Sequence, residues 1–275
     1  MDEDIHRSIE VHEDIDDTIL SKHEQLQKRL ETFKNVSCTT VESKKSTWLS
    51  LLCLWSDITE FTYEEASECY RQSCEIVTNI SKAVNFVVIK RDRAIAMKSV
   101  IAGLEILNRD HIKKYLEIPR EKEDIETNHI YFVHVSNLLW FISQAFLFVP
   151  CSTGEIQQTI KNYLDLFQLL IDRVDKSMPD KSSSESRVDL DLGVLNASIL
   201  SIIWNSVDLT VLVPFYLQCD LPRKVVSWLK NGPMLKEKAR RPFISIIHNL
   251  SRHDDGVDRL NECNAIPIIK EYQTK

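Results

Sequence analysis

The sequence predicts an all-α fold of stacked helical units, and three observations lead there. The 275-residue chain holds only 5 Gly and 8 Pro, too few for the many turns of a strand-rich fold. Leu, Ile, Glu and Lys recur throughout, which favours helices. Most decisively, residues 199–219 (ILSIIWNSVDLTVLVPFYLQC) and 243–263 (FISIIHNLSRHDDGVDRLNEC) read as one segment written twice. Ser201 pairs with Ser245, Ile202 with Ile246, Ile203 with Ile247, Asn205 with Asn249 and Cys219 with Cys263, always 44 residues apart. A period in the forties in a helix-rich chain indicates stacked helical units, which serve as binding surfaces more often than as reaction chambers.

Taken in order, the chain reads as follows. Residues 3–35 carry a thin apolar stripe (Ile5, Ile9, Ile15, Ile19, Leu26, Leu30, Phe33), which predicts one outer helix, a cap or an arm. Residues 36–46 are a polar connection, and Ser46 or Thr47 can cap a buried helix carrying Trp48, Leu51, Leu52, Leu54, Trp55 and Ile58. Thr62 and Glu65 form a capping box for a helix containing Ala66, Tyr70, Cys74, Val77 and Ile80. Residues 85–89 (NFVVI) fit a short strand or a helix end equally. One long helix is expected from about Arg93 to Glu117, ended by Pro119 and its charged neighbours. Residues 127–149 form an apolar helix stopped by Pro150, and 155–176 one amphipathic helix.

Serines, charges and a proline mark residues 177–191 as a surface loop. Ser182 and Ser186 each precede an acid by three residues, a setting for acid-directed phosphorylation; a plain solvated loop is the simpler reading. The repeat then yields a long helix at 192–207, a short one at 210–219 and another at 222–230. A stop at Asn231-Gly232-Pro233 follows, then a long helix at 234–251 bent by Pro242, and helices at 256–263 and 265–273. The expected organisation is an acidic helix (1–35), divergent repeats (45–176), the Ser-rich loop (177–191) and clear repeats (192–275), about 11–13 helices in all.

Composition narrows the function. The net charge is −7 and the pI about 5.7, which gives no support for nucleic-acid binding. Charge is unevenly spread: residues 1–31 carry net −6 and residues 221–275 net +5. Seven Cys without framework spacing, beside apolar neighbours, suit a reducing cytoplasm, with the nucleus as an alternative. Met1 is followed by Asp-Glu-Asp and not by a basic and then apolar stretch, so no signal peptide is expected. The Asn-x-Ser sequons at Asn35, Asn79, Asn196 and Asn249 are then chance. Ile130–Cys151 is long enough to span a bilayer, but His134, Ser136, Asn137, Ser143 and Gln144 within it favour a helix buried by other helices.

Catalytic and metal signatures are missing from the sequence. The five glycines are isolated, and no phosphate loop, dinucleotide fingerprint or nucleophile elbow occurs. His129 and His134, His248 and His253, and Cys69 and Cys74 are each five apart, a poor spacing for stacking two ligands on one helix face. No metal, cofactor or catalytic residue is expected. The basic cluster of Arg223, Lys224, Lys230, Lys236, Lys238, Arg240 and Arg241 could receive an acidic peptide, or the chain's own acidic first helix; a solvated outer face is the plainer reading.

The distal third resembles armadillo repeats, three-helix units of roughly forty residues. PMLKEKARRPFISIIHNLS is similar to that family's third helix, and DDGVDRLNECNAIPIIKEY to the first and second helices that follow. Asn264-Ala265-Ile266-Pro267 occupies the place of the family's Gly-x-Ile-Pro step, and Asn tolerates the left-handed backbone that Gly would supply. Pro242 inside the third helix departs from the family pattern. Trp55 and Trp140 are weaker counterparts of Trp204.

The resemblance implies a right-handed α-solenoid that binds an extended protein or peptide partner on its concave face, without catalysis. Asn205 and Asn249 fall at the family's inner-surface Asn. There they either hold a peptide main chain or bond neighbouring helix ends. Trp204, His248, Lys238 and Arg241 complete the candidate site. Four residues after Trp55, Trp140 and Trp204 stand Thr59, Gln144 and Asp208, so the Trp–Asn pattern of nuclear-import members is missing. No third helix follows 265–273 to cover Ile268, Ile269 and Tyr272, so this edge is expected to dock on something or to continue into a larger architecture. The alternative function is accordingly a helical regulatory or self-assembly segment of a multidomain signalling protein. No membrane partner is expected.

Overall fold

The computed structural model describes residues 22–33, 40–83, 92–117, 129–149, 154–178, 193–230 and 237–273. Among them the secondary structure is helical throughout, with no strand. The chain divides into two compact units, 1–88 and 89–275, and the division falls inside the stretch read from sequence as divergent repeats. The expectations for residues 85–89, the 177–191 loop beyond Met178 and the Asn231-Gly232-Pro233 stop lie outside the described residues.

In the first unit, α1 (22–33), α2 (Val41–Ile58) and α3 (Ser67–Ala83) surround Leu30, Trp48, Leu54, Trp55, Ile58 and Tyr70, all almost fully buried. Helix α2 begins at Val41, earlier than the cap expected at Ser46 or Thr47, because its first turn is closed by Lys44 N–H donating to the Thr40 carbonyl at 3.0 Å. The Thr62–Glu65 capping box forms: Thr62 N–H donates to Glu65 Oε2 at 2.7 Å and Glu65 N–H to Thr62 Oγ1 at 3.4 Å. The Tyr70 hydroxyl donates to the Phe61 carbonyl at 2.8 Å and pins the turn to α3.

The second unit contains α4 (Arg93–Leu107), α5 (Asp110–Glu117), α6 (His129–Phe146), α7 (Gly154–Lys161), α8 (Leu164–Lys176) and α9 (Gly193–Val207). A 3-10 turn (Thr210–Leu212), α10 (Val213–Gln218), α11 (Leu221–Lys230), α12 (Glu237–Leu250), α13 (Asp254–Glu262) and α14 (Ala265–Gln273) complete it. Two helices expected to be continuous are broken. The 93–117 segment splits at Asn108, whose N–H turns back to Leu104 and Ile106 carbonyls, and Asp110 opens the next helix with an acid where the helix dipole favours one. The 155–176 segment splits at Asn162–Tyr163, where 3-10-type hydrogen bonds to Thr159 and Ile160 end α7. Helical periodicity alone does not see such breaks, because the apolar face continues across them.

Three rows of helices pack in sequence order. The long helices α4, α6, α9 and α12 each pack on the next. So do α5, α8, α11 and α14, while α7 meets the 3-10 turn and α10 meets α13. The 44-residue period extends to the backbone. Asp220 and Asn264, 44 apart, are the positive-φ non-Gly residues among those described, each at φ 55. Cys219 N–H bonds Phe215 O and Asp220 N–H bonds Leu217 O; Cys263 and Asn264 repeat the pair with Arg259 and Asn261. Asn264 thus adopts the left-handed backbone expected of it.

No single helix among the described residues is long and apolar enough to cross a membrane. Leu195–Val207 and Thr210–Gln218 pass that test only as a pair bent by 103°. Ile199, Ile202, Ile203 and Tyr216 of that pair are fully buried within the unit.

Candidate functional site

The long helices α6, α9 and α12 set the site. Leu138, Ile202 and Ile246 are fully buried, as are Leu139 and Ile203, with Ile247 at 5% exposure. These sets are spaced by 64 and then 44 residues, the same spacing that aligns Trp140, Trp204 and His248. The first two rings of that column are half-buried and the third is exposed.

Two cross-helix contacts hold α9 and α12 parallel and in register. Asn249 Nδ2 donates to the Trp204 carbonyl at 3.2 Å, and Arg252 forms an ion pair with Asp208, 44 residues earlier. Asn249 is 8% exposed, so its amide is used inside the stack, the second of the two roles open to it from sequence. Asn205 differs. Its Nδ2 is buried and has no hydrogen-bond partner, a situation that costs about 1–3 kcal/mol. The counterpart carbonyl on α6, that of Trp140, accepts the Ser143 hydroxyl at 2.7 Å.

The remaining candidate residues are dispersed. His248 follows Trp204 along the column; Arg241 is exposed nearer the start of α12. Lys238 lies on α12, with its side chain outside the described residues. Of the basic cluster, Arg223 pairs with Asp220 at 3.1 Å and Lys224 with Asp172 at 2.6 Å, while Lys230 and Arg241 are exposed.

Sequence reading missed the polar stitching of the α5–α8–α11 row. Arg173 Nη1 donates to the Leu116 carbonyl at 2.8 Å, satisfying the end of α5. From α11, Lys224 meets Asp172 and Trp228 Nε1 donates to Asp175 Oδ1 at 2.7 Å. Burial alone would raise the Asp172 carboxyl, but hydrogen bonds from Lys224 and Gln168 bring it below its ordinary value. The available signal was Asp172 and Asp175 three apart opposite Lys224 and Trp228 four apart, which single-helix patterning does not connect.

Among the described residues no group of His, Cys, Asp or Glu could hold a metal ion. Cys69 lies with Sγ 3.6 Å from His23 Nε2 and accepts from Gln27 at 3.4 Å. Burial pushes this thiol up, away from the thiolate a nucleophile needs. Only Cys69 of the five described cysteines is buried; Cys53 is exposed, the others half-buried. Burial raises Cys74 to about 12 and Cys219 to about 11. No protein-family model, curated protein or solved structure matches the chain.

Proposed function

We propose that the second unit is an armadillo-like solenoid and that the chain is a non-catalytic protein-binding scaffold, holding an extended peptide along the exposed face of α6, α9 and α12. The observation that carries this reading is the column of half-buried Trp140 and Trp204 rings on α6 and α9, with Asn205, whose Nδ2 lacks an acceptor, beside Trp204. A peptide side chain would pack on Trp140 or Trp204, and a turn of the half-buried Asn205 side chain would bring its amide to a peptide carbonyl. Exposed Arg241 and His248 extend the face toward an acidic segment.

The test is a peptide-display selection against the full chain, followed by fluorescence anisotropy of the selected peptides. Trp204→Ala should weaken binding by about 10-fold or more, as aromatic anchors do, and Asn205→Leu should weaken it with no loss of stability. Selected peptides indifferent to both changes would refute the reading. A second reading, a regulatory or self-assembly segment, is favoured by the exposure of Val257 (37%) on α13 and Ile266 (54%) on α14.

A further inference from the structure

A groove of about 340 Å³ runs between α12, α13 and α14, lined by Ile247, His248, Val257, Leu260, Ile266 and Ile269 among others. Each of these positions has a counterpart 44 residues earlier: Ile203, Trp204, Val213, Tyr216, Pro222 and Val225. There the groove does not exist. Ile203, Tyr216 and Val225 are 0% exposed, Val213 is 4%, and Pro222 is buried. Helix α12 packs there on both α9 and α11, and α13 packs on α10 and α11. Its apolar residues Phe243, Ile246, Ile247 and Leu250 are buried, and Asn249 anchors it to the Trp204 carbonyl.

We propose that the α12–α13–α14 groove is a docking slot for an amphipathic α-helix built like α12. Its occupant carries apolar residues at i, i+3, i+4 and i+7. It needs no counterpart of Asn249, because the His248 carbonyl already accepts the Ser251 hydroxyl at 2.8 Å. The argument is continuity of one interface: the corresponding positions, 44 residues earlier, already bind a helix of this pattern. It rests on the stacked-repeat reading and meets the peptide face only at His248; Val257, Leu260, Ile266 and Ile269 lie off the column of Trp140 and Trp204. A helix seated here buries Val257 and Ile266, the large apolar side chains that α13 and α14 leave exposed.

The probe is a labelled synthetic peptide of residues 237–251 carrying Pro242→Ala, titrated with the full chain and read by fluorescence anisotropy. Saturable binding is expected, weakened about 10-fold or more by Ile266→Asp and by Val257→Asp in the chain. Both positions are solvent-exposed, so each variant should keep the thermal midpoint of the parent. A peptide with Phe243→Asp and Ile247→Asp should not bind. Trp204→Ala in the chain should leave helix binding unchanged, which separates this site from the peptide face. The proposal is overturned if the parent chain does not bind the peptide, or if binding ignores both Asp substitutions. It is also overturned if sedimentation shows that the groove is filled by a second copy, through self-association that Ile266→Asp abolishes.

Discussion

Residues 193–230 and 237–273 are two copies of one three-helix unit with different surroundings. The turns that precede α11 and α14 share two backbone hydrogen bonds and the left-handed Asp220 and Asn264. The earlier copy is covered by helices before and after it, so Val213 and Pro222 are buried. In the later copy the corresponding Val257 and Ile266 are exposed. A shared turn therefore does not mean a shared surface: whether a position is buried or lines a groove depends on which helices pack against it.

The sharpest way to break this comparison is to place the same charge at both copies. Val213→Asp buries an unpaired carboxylate and should cost about 3–5 kcal/mol. Val257→Asp should stay within about 0.5 kcal/mol, as exposed substitutions do. Urea unfolding followed by circular dichroism reads both, and equal losses would mean that the two environments are alike.

A glycine marks a second difference. Gly256 stands where the earlier copy has Leu212 in its 3-10 turn. A Cβ at Gly256 would lie 2.1 Å from the Leu250 carbonyl oxygen, and backbone cannot move aside as a side chain can. Gly256→Ala should cost about 1–3 kcal/mol by overpacking, read by the same unfolding curves. Tolerance would show that α13 can shift off the end of α12.

Aligned by the 64-residue offset, His134 on α6 matches Ser198 on α9 and Pro242 on α12. His134 is 1% exposed, and burial, with His111 nearby, pulls its imidazole down to about 3. The unfolded chain, titrating near 6.5, therefore binds the proton that the folded state refuses. Stability is full above pH 6.5 and declines as the pH falls from there toward 3. Between pH 7.5 and 5.5 the loss should be about 1.4 kcal/mol, and His134→Leu should flatten that slope. An unchanged slope would place the titration elsewhere.

Asn205 and Asn249 test the comparison more gently. Asn249→Ala removes the bond to Trp204 and should cost about 1 kcal/mol. Asn205→Leu removes an unpartnered amide and should be neutral or slightly stabilising. The same sign and size at both positions, in parallel melts, would mean that the two amides are used alike. Smallest of all, Arg252→Ala breaks an exposed pair with Asp208. It should change stability by less than about 1 kcal/mol, with the change fading in high salt.

Much of the helical order was legible before any coordinates. The 199–219 and 243–263 match located α9 through α14 to within a few residues, because a duplicated segment reports its own boundaries through its turns. The left-handed Asn264 followed from the tolerance of Asn for that conformation. The breaks at Asn108 and at Asn162–Tyr163 were not legible, because an apolar stripe runs through a turn of either kind. At the candidate site, the sequence located Trp204, Asn205, His248 and Asn249 but could not tell the two asparagines apart. Each carries the same amide at the same place after a shared Ser-Ile-Ile.

By itself, then, the sequence determined the helical class, the 44-residue repeat and the faces of the long helices, because these depend on local periodicity and backbone preference. Tertiary structure alone decided that Asn249 is spent on the Trp204 carbonyl while Asn205 is not. It also decided that one copy's Val213 is core while the other's Val257 lines a groove. Both outcomes depend on which atoms of a neighbouring helix come within hydrogen-bond or van der Waals reach, and a single helix does not encode its neighbours.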